Sequence, residues 1–463
     1  MTFVGGSLEQ FTKLLHRTSA LGSRVFGGSS FSQSIRRTLT PQPGLDVFRR
    51  LLSQAAPMPP VAGRVVLVCG SLQPGGAERQ VANTLTGLAG SGIESATLLC
   101  DFLHGGTKEK YDFYLPLARQ SGAVVRTIRA DWSGCAIDDL PRSLGNGVPE
   151  LTANLLADIA NLYREFRAIR PQIVHAWLDW SNVRAGLAAV LAGVPRIVLS
   201  GRNLSPRHFA LNTEYYHPAY TALAERPAEQ VVLLNNSRAG ADDYAAWLSL
   251  TPQRVRVLRN GMLFRDDMRP ASQELAALRA QWGIPAQAPV VGGMFRFSAE
   301  KRPLLWVHAA ARMLQTIPDA HFLIFGEGAM RPSIEKTVRA LGIEARTRLP
   351  GVVDPSFPAL AACDLILLTS SGEGTPNVLL EAQWLGVPVV CTDVGGAAEA
   401  VNDGVTGRVL KTEDPNTIAM AMAQILNDAS FRAAAQREGP SFIAKRFGMK
   451  RMISETLATY RPN

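Results

Sequence analysis

Two glutamates, Glu373 and Glu381, lie in the segment SSGEGTPNVLLE, residues 370–381. An apolar run typical of a buried strand, Leu365–Leu368, precedes them, and a helical pattern follows. With Thr375 as predicted N-cap and Pro376 in the first helical position, Glu373 precedes the helix and Glu381 lies about 9 Å along it. The free N–H groups of the helix start can bind phosphate between them. This pattern suits hydroxyl groups flanking a diphosphate, as in a nucleotide sugar; the alternative is two solvated glutamates on an ordinary strand–turn–helix.

A pair of cations follows another apolar run, Val290–Met294. Arg296 lies just past the end of this run, and Lys301 lies five residues later at the entry to a predicted helix. Arginine binds phosphate bidentately and lysine acts as a point charge, so the pair suits a diphosphate. The same charges would stabilise the negative charge on a departing nucleoside diphosphate. The alternative is a solvated pair beside Glu300.

Adjacent glycines, Gly75 and Gly76, follow the first predicted strand of the chain. Without side chains they let backbone amides approach a ligand closely, and a helix starting near Ala77 adds a positive end. We expect Gly76 on the donor side and Gly75 on the acceptor side of a site. A simple strand-to-helix turn is the alternative.

His175 and Arg202 follow or end two further predicted strands. In a parallel sheet His175 would face a cleft, where it could orient a sugar hydroxyl, and Arg202 could contact an acceptor phosphate. The alternatives are a satisfied core histidine and a solvated arginine.

Glycines also end two strands of the second half, at Gly326 and Gly351. We expect Gly326 to permit close passage near a nucleotide, and the backbone around Val352 to cradle a base; plain turns are the alternative. The chain has no G-x-x-x-x-G-K-[ST] segment and no G-x-G-x-x-G, which disfavours ATPase and dinucleotide readings.

Strands and helices alternate from residue 64, which predicts parallel α/β sheets. The sequence predicts an N-terminal doubly wound, Rossmann-like domain over 61–262, a second over 263–440, and a helix in 441–463 that packs back on the first. The predicted strands are Arg64–Cys69, Ser95–Cys100, Ala123–Ile128, Gln172–His175, Arg196–Ser200 and Gln230–Leu234, then Val290–Met294, His321–Phe325, Thr347–Leu349, Leu365–Leu368, Pro388–Cys391 and Gly407–Leu410. Ligands of such sheets bind at the carboxyl ends of the strands, here in an interdomain cleft.

The 463-residue chain carries a formal net charge of +9, which suggests an anionic partner such as phosphate or an acidic bilayer surface. No motif supports nucleic acid, and no Cys/His spacing supports a structural metal. The five cysteines, odd in number and far apart, suggest a reduced, cytoplasmic protein. Residues 1–60 form a basic extension that we expect to be partly disordered or to lie on a membrane surface; a transit peptide is the alternative.

In their order and spacing these motifs resemble the family-4 retaining glycosyltransferases of GT-B fold, over roughly residues 64–440. The resemblance implies that Arg296 and Lys301 bind the donor diphosphate, that Glu373 contacts the donor sugar near the anomeric carbon, and that Glu381 holds the ribose. It implies that Gly76 approaches the diphosphate or the acceptor from the opposite domain and that His175 lies near the donor sugar. It also implies that the helix start caps phosphate or sugar through Gly374, Thr375, Pro376, Asn377 and Val378.

The resemblance implies sugar transfer from a nucleotide sugar to a glycan, polysaccharide or lipid-linked acceptor, without a metal or other cofactor. We expect a cytoplasmic protein that acts at the inner membrane face. A GT-B epimerase or phosphorylase is the enzymatic alternative, and a non-catalytic partner protein of the same fold is the alternative of another class.

Overall fold

The computed structural model describes residues 44–103, 111–128, 151, 153–209 and 214–461, and these residues form two parallel sheets of seven and six strands. The first sheet contains β1 Val61–Cys69, β2 Ser95–Cys100, β3 Val124–Thr127, β4 Pro171–Trp177, β5 Arg196–Gly201, β6 Val231–Asn235 and β7 Val255–Val257. The second contains β8 Val290–Met294, β9 His321–Phe325, β10 Thr347–Gly351, β11 Leu365–Leu368, β12 Val389–Thr392 and β13 Gly407–Leu410.

Helices connect the strands of both sheets. Those of the first half are α1 Leu45–Leu52, α2 Gly76–Leu88, α3 Leu115–Gln120, α4 Ala153–Ile169, α5 Asp179–Leu191, α6 Tyr216–Ala224 and α7 Arg238–Trp247. Those of the second half are α8 Ser272–Gln281, α9 Pro303–Met313, α10 Arg331–Ala340, α11 Ser356–Ala361, α12 Asn377–Trp384, α13 Pro415–Asn427, α14 Ala429–Phe447 and α15 Met449–Tyr460.

Both sheets are doubly wound, which confirms the predicted fold class. The strand orders are β3-β2-β1-β4-β5-β6-β7 and β10-β9-β8-β11-β12-β13, and every strand pair is parallel. The strand order reverses beside β1 in the first sheet and beside β8 in the second, and ligands of such sheets bind at this switch point. The glycine pair follows β1 and the cation pair follows β8, so both lie at switch points.

The interior of the first domain contains a buried charge cluster. Arg184 on α5 donates to Asp101 at 2.9 and 2.6 Å and lies 3.4 Å from an oxygen of Asp158. All three side chains are at most 2% exposed. The guanidinium charge is therefore matched by neighbouring carboxylates, as buried charges require.

The chain passes from one domain to the other twice, near Met262 and near Gly448, and the two crossings lie side by side. Met262 N donates to Phe447 O at 2.8 Å, and Met449 N donates to Met262 O at 3.2 Å. The helix expected over 441–463 is therefore two helices: α14 still packs on the second domain, and α15, after Gly448, packs on the first. Arg196 fixes the end of α15, because its Nε and Nη2 donate to Thr459 O at 2.8 and 2.6 Å.

The end of the N-terminal extension predicted over residues 1–60 is folded. Helix α1 buries Phe48 and Leu51 completely against the first domain, and Arg49 pairs with Glu225. Its apolar stripe supplies the hydrophobic contact that holds it there. Residues 1–43, with most of the predicted basic extension, lie outside the described residues. In the part of the chain that the structure describes, no helix has the length and hydrophobicity needed to cross a bilayer.

Candidate functional site

Glu373 lies next to a lysine at the carboxyl edge of the second sheet. Its Oε1 accepts hydrogen bonds from Lys301 Nζ at 2.5 Å and from Ser370 Oγ at 2.6 Å. The hydroxyl of Thr369 donates to Lys301 O at 3.2 Å, which holds the lysine segment against the end of β11. The structure thus brings together two residues that are 72 positions apart in the sequence.

Arg296 extends from the end of β8 into solvent. Its neighbours Phe295 and Phe297 are buried, whereas Arg296 itself is exposed. Glu78, in the first turn of α2 on the other domain, is close enough to interact with its charge. Burial raises the pKa of the Glu78 carboxyl, while hydrogen bonds, including one from Gln73, and the Arg296 charge oppose that shift.

The glycines that end β9 and β10 have different surroundings. Gly326 has a φ of +134°, and a Cβ there would lie 2.0 Å from Phe295 O. This glycine is therefore required by close packing against the β8 loop, a reason that the sequence did not suggest. Gly351 has a φ of +87°, and the following Val352 is 59% exposed.

Glu381 is only 2% exposed, and both of its oxygens have partners. Ser356 Oγ donates to Oε2 at 3.0 Å, and Arg79 of the first domain forms an ion pair with Oε1. Tyr114 supports the same guanidinium, with its hydroxyl 3.2 Å from Arg79 Nε. An arginine of one domain therefore binds the carboxylate to which the resemblance assigns the ribose.

The helix after Glu373 begins later than predicted. Helix α12 starts at Asn377 with Pro376 in the N-cap position, and no side chain caps it. The Thr375 hydroxyl instead donates to Asn236 O of the first domain at 2.8 Å, so the prediction of Thr375 as N-cap was wrong. Tertiary contact has replaced the local capping bond. Val378 is the second residue of the helix and is half-buried.

Asn260 connects the domains at this helix start. Its Nδ2 donates to Thr375 O at 3.1 Å and to Asn377 Oδ1 at 2.7 Å. Its Oδ1 accepts from Arg202 Nη2 at 2.9 Å and, more weakly, from Asn236 Nδ2 at 3.4 Å. One buried amide thus joins the ends of β5 and β6 to the first residues of α12.

His175 does not face the cleft. It is 1% exposed, and its Nδ1 and Nε2 lie 2.9 Å from Tyr460 Oη and 3.0 Å from Ser200 Oγ, while Trp177 stacks on the ring. Burial lowers the pKa of His175 well below its ordinary value, and the charge of Arg202 adds to this shift. The predicted cleft position was wrong because the side chain lies on the face of β4 that α15 covers.

The two glycines of the loop after β1 have different neighbours. Gly75 is the N-cap of α2, and a Cβ on it would lie 2.1 Å from Glu78 Oε2. Gly76 is exposed, and its carbonyl accepts a long hydrogen bond of 3.5 Å from Asn377 Nδ2. Gly374 is buried, and its Cα faces the carbonyl of Arg202. The loop after β1 and the start of α12 therefore form opposite walls of one cleft.

Sequence reasoning missed Arg79 and Asn260 as site residues. Both were inside recognised motifs, since Arg79 follows the glycine pair and Asn260 precedes Gly261 at a turn signal. Their partners in the second domain, Glu381 and Thr375, lie more than one hundred positions away in the chain. Within the described ranges, no three His, Cys, Asp or Glu side chains are grouped in a way that could hold a metal ion.

Comparisons with known proteins agree with this geometry. The family profile Glycosyltransferase Family 4 matches residues 74–262, and the profile Glycosyl transferases group 1 matches residues 288–428. The Vi polysaccharide biosynthesis protein VipC/TviE of Salmonella typhi is 31% identical over 423 residues, which cover 86% of this chain and 71% of that protein. The alpha-D-kanosaminyltransferase of Streptomyces kanamyceticus is 29% identical over 300 residues, 62% of this chain and 76% of that protein.

Solved structures share the architecture. Anabaena Alr3699/HepE in complex with UDP and glucose has a TM-score of 0.68 at 22% identity, and the match covers 86% of this chain and 98% of that one. Sucrose-phosphate synthase from Thermosynechococcus elongatus has a TM-score of 0.66 at 17% identity, with the same coverage. At these low sequence identities, the structural similarity establishes the fold and nothing more specific.

The two profiles span both domains, and the Salmonella relative extends over most of the chain. The chain therefore belongs to glycosyltransferase family 4, has the GT-B fold, and is an enzyme that transfers a sugar from a nucleotide sugar.

Proposed function

We propose that the enzyme is a retaining hexosyltransferase that takes its sugar from a UDP-sugar and adds it to a glycan acceptor, lipid-linked or polysaccharide. The observation that carries this proposal is the position of Glu373 and Glu381 on either side of the α12 start, with Lys301 bonded to the first and Arg79 of the other domain paired with the second. The similarity to a polysaccharide biosynthesis protein supports the acceptor class, and the similarity in fold to a protein in complex with UDP and glucose supports the donor class.

The donor would lie across the start of α12. Its diphosphate would contact Arg296 and Lys301, and its ribose hydroxyls would bind Glu381 in place of Arg79. Glu373 would then accept hydrogen bonds from hydroxyls of the sugar. The binding energy of the nucleotide would be used to orient the anomeric carbon in a cleft from which domain closure excludes water.

The retaining course requires no protein base, since the departing phosphate takes the proton of the attacking hydroxyl. His175 supports this route, because both of its ring nitrogens are occupied and it cannot accept that proton. The cations and the helix start supply the positive charge that a metal would otherwise provide, so we propose a metal-independent reaction.

The proposal includes a peripheral position at the cytoplasmic face of the membrane. The formal net charge of +9 favours attraction to an anionic bilayer surface, where a lipid-linked acceptor would be presented. We propose no nucleic-acid partner.

The test is a thermal-shift screen of the full chain against UDP-, GDP- and ADP-sugars, followed by calorimetry of UDP with Glu381→Gln. A bound donor stabilises the native state by mass action. Because hydrogen bonds to a charged group contribute about 1.5–3 kcal/mol each, losing one ribose contact should weaken UDP binding roughly 10- to 100-fold.

Glu438→Gln is the control, since Glu438 is half-exposed on α14 and its one ion-pair partner among the described residues is its neighbour Arg437. It should bind UDP as the wild-type protein does. Absence of stabilisation by every nucleotide sugar, or unchanged UDP affinity in folded Glu381→Gln, would contradict the proposal. Conversion of one nucleotide sugar to an epimer without any acceptor would indicate an epimerase instead.

A further inference from the structure

Among the described residues, Arg202 is a largely buried arginine that is bonded neither to a carboxylate nor to a main-chain carbonyl. Its one hydrogen bond among the described residues is from Nη2 to the amide oxygen of Asn260, and its Nε is buried without a partner. By contrast, Arg184 is paired with carboxylates, and Arg196 donates to several main-chain carbonyls. Burial lowers the pKa of the Arg202 guanidinium to about 10. A cation in such a place is costly unless an anion joins it.

The position of this charge indicates which anion is missing. The Asn260 amide that holds Arg202 also bonds Asn377, the first residue of α12. Arg202 is therefore one side chain away from a helix start whose free N–H groups already favour negative charge. Lys301 is neutralised by Glu373, but neither the helix start nor Arg202 is neutralised by a carboxylate of the described residues.

A second unpartnered polar atom lies at the same place. The Oδ1 of Asn236 is buried without a hydrogen bond, and a Cβ on Gly374 would lie 2.5 Å from it and 2.2 Å from Arg202 O. Here the loop after Glu373 contacts the ends of β5 and β6. Two of the unsatisfied buried atoms, Arg202 Nε and Asn236 Oδ1, therefore lie where the donor domain meets the first domain, and of these two the Arg202 donor is the one that an anion can satisfy.

We propose that Arg202 binds a phosphoryl oxygen of a substrate from the wall of the cleft opposite Arg296 and Lys301. The inference rests on the proposed function, which brings a nucleoside diphosphate into the cleft. A phosphoryl oxygen matches the guanidinium in charge and geometry. It has two sources, the donor diphosphate and a phosphate on a lipid-linked acceptor.

With the donor as source, Arg202 acts on the leaving group. The bond from the anomeric carbon to the phosphate oxygen breaks and its electron pair stays on that oxygen. The acceptor oxygen bonds to the carbon, and the acceptor proton passes to the departing phosphate. Arg202 stabilises the charge that appears on the phosphate. Asn260, which accepts from the guanidinium, also donates to Thr375 O of the donor domain, so domain closure adds a second bond that fixes the amide.

The experiment measures UDP binding to the full chain by calorimetry at low and high salt, for Arg202→Gln and Arg202→Lys. The control is Arg126→Gln, which removes the same charge from the same domain at a residue that pairs with Glu165 on the surface. Arg202→Gln should weaken UDP binding at least tenfold at low salt and less at high salt, Arg202→Lys should lie between, and the control should match the wild-type protein. Without nucleotide, Arg202→Gln should melt no lower than the wild-type protein, because an unpaired buried charge has been removed.

A second measurement identifies which phosphate Arg202 contacts: the KM of each variant for a phosphate-bearing and for a phosphate-free acceptor. Unchanged UDP affinity with a raised KM for the phosphate-bearing acceptor alone assigns the contact to the acceptor. Unchanged UDP affinity and unchanged acceptor KM overturn the inference and leave the proposed function standing. A lower melting temperature of both Arg202 variants without nucleotide would also overturn the inference, because it would show that Arg202 has a structural role; the proposed function would still stand. If the wild-type protein binds no nucleoside diphosphate, the inference and the proposed function both fail.

Discussion

Replacing Gly374 by alanine should hold the two domains apart without disturbing either one. The three atoms nearest to a Cβ at this position all belong to the first domain: Arg202 O at 2.2 Å, Asn236 Oδ1 at 2.5 Å and Arg202 C at 2.8 Å. A real Cβ cannot approach a main-chain oxygen so closely, so the loop must move away. Gly374 has no positive φ, which means that alanine causes no backbone strain of its own.

The size of the effect follows from the hydrogen bonds that this movement breaks. Thr375 donates to Asn236 O at 2.8 Å, and Asn260 donates to Thr375 O and to Asn377 Oδ1. At about 1 kcal/mol each, their loss costs about 3 kcal/mol, which lowers the ratio of closed to open molecules roughly 100-fold. Because transfer requires the closed cleft, kcat should fall by up to about that factor.

Gly372 offers a matched control two residues earlier. A Cβ there would meet Phe209 at 3.5 Å, an ordinary contact distance. Steady-state transfer rates, the radius of gyration in solution scattering and the melting temperature should be compared for Gly374→Ala and Gly372→Ala. We expect a slower, more open Gly374→Ala protein with a nearly unchanged melting temperature. Activity of Gly374→Ala within twofold of the wild-type protein, or an equal loss in Gly372→Ala, would refute the steric reasoning.

Three further predictions concern stability. Arg184→Met leaves two buried aspartates without their cation, so it should lower the free energy of unfolding in urea by about 3–5 kcal/mol; a loss below 1 kcal/mol would contradict the buried cluster. Because the pKa of His175 is lowered in the folded protein, only the unfolded chain takes up a proton at this residue near pH 6.5. The free energy of unfolding should therefore fall below that pH by up to about 1.4 kcal/mol per pH unit. Urea titrations from pH 5 to 7.5 should show that His175→Gln removes this contribution to the pH dependence of the free energy of unfolding. Gly326→Ala should destabilise more than Gly342→Ala in thermal melts, because both have positive φ but a Cβ at Gly342 meets open space; equal losses would show that backbone strain alone matters.

The strands were predictable from the sequence because strands buried on both faces of a parallel sheet are continuous apolar runs. Five of the predicted strands have the bounds found in the structure, Ser95–Cys100, Val290–Met294, His321–Phe325, Leu365–Leu368 and Gly407–Leu410. Strand β7, Val255–Val257, is the one strand of the two sheets that was not predicted. Its three residues include an arginine, which is too short and too polar a pattern to distinguish from a loop.

The site was predictable where a residue's position depends on its own strand or helix. Arg296 and Glu373 follow strands, so their places at the sheet edge come from local order. His175 was misplaced because periodicity alone does not tell which face of β4 the C-terminal helix covers. Thr375 was misassigned as a cap because a tertiary acceptor, Asn236 O, competes with the local bond. Arg79 gave no sign of its partner, since Glu381 is 302 positions away.

The residues proposed to bind the donor are also the residues that join the domains. Glu381 pairs with Arg79, Asn377 with Asn260, and Thr375 with Asn236. Under the proposed function, donor binding at Glu381 would exchange a protein ion pair for ribose hydrogen bonds, while the bonds at Asn377 and Thr375 would stay in place. The nucleotide would then break one interdomain contact and add its own charges between the two domains. A closed cleft before donor arrival is consistent with this exchange, because Arg79 neutralises a carboxylate that is 2% exposed and would otherwise be buried unpaired.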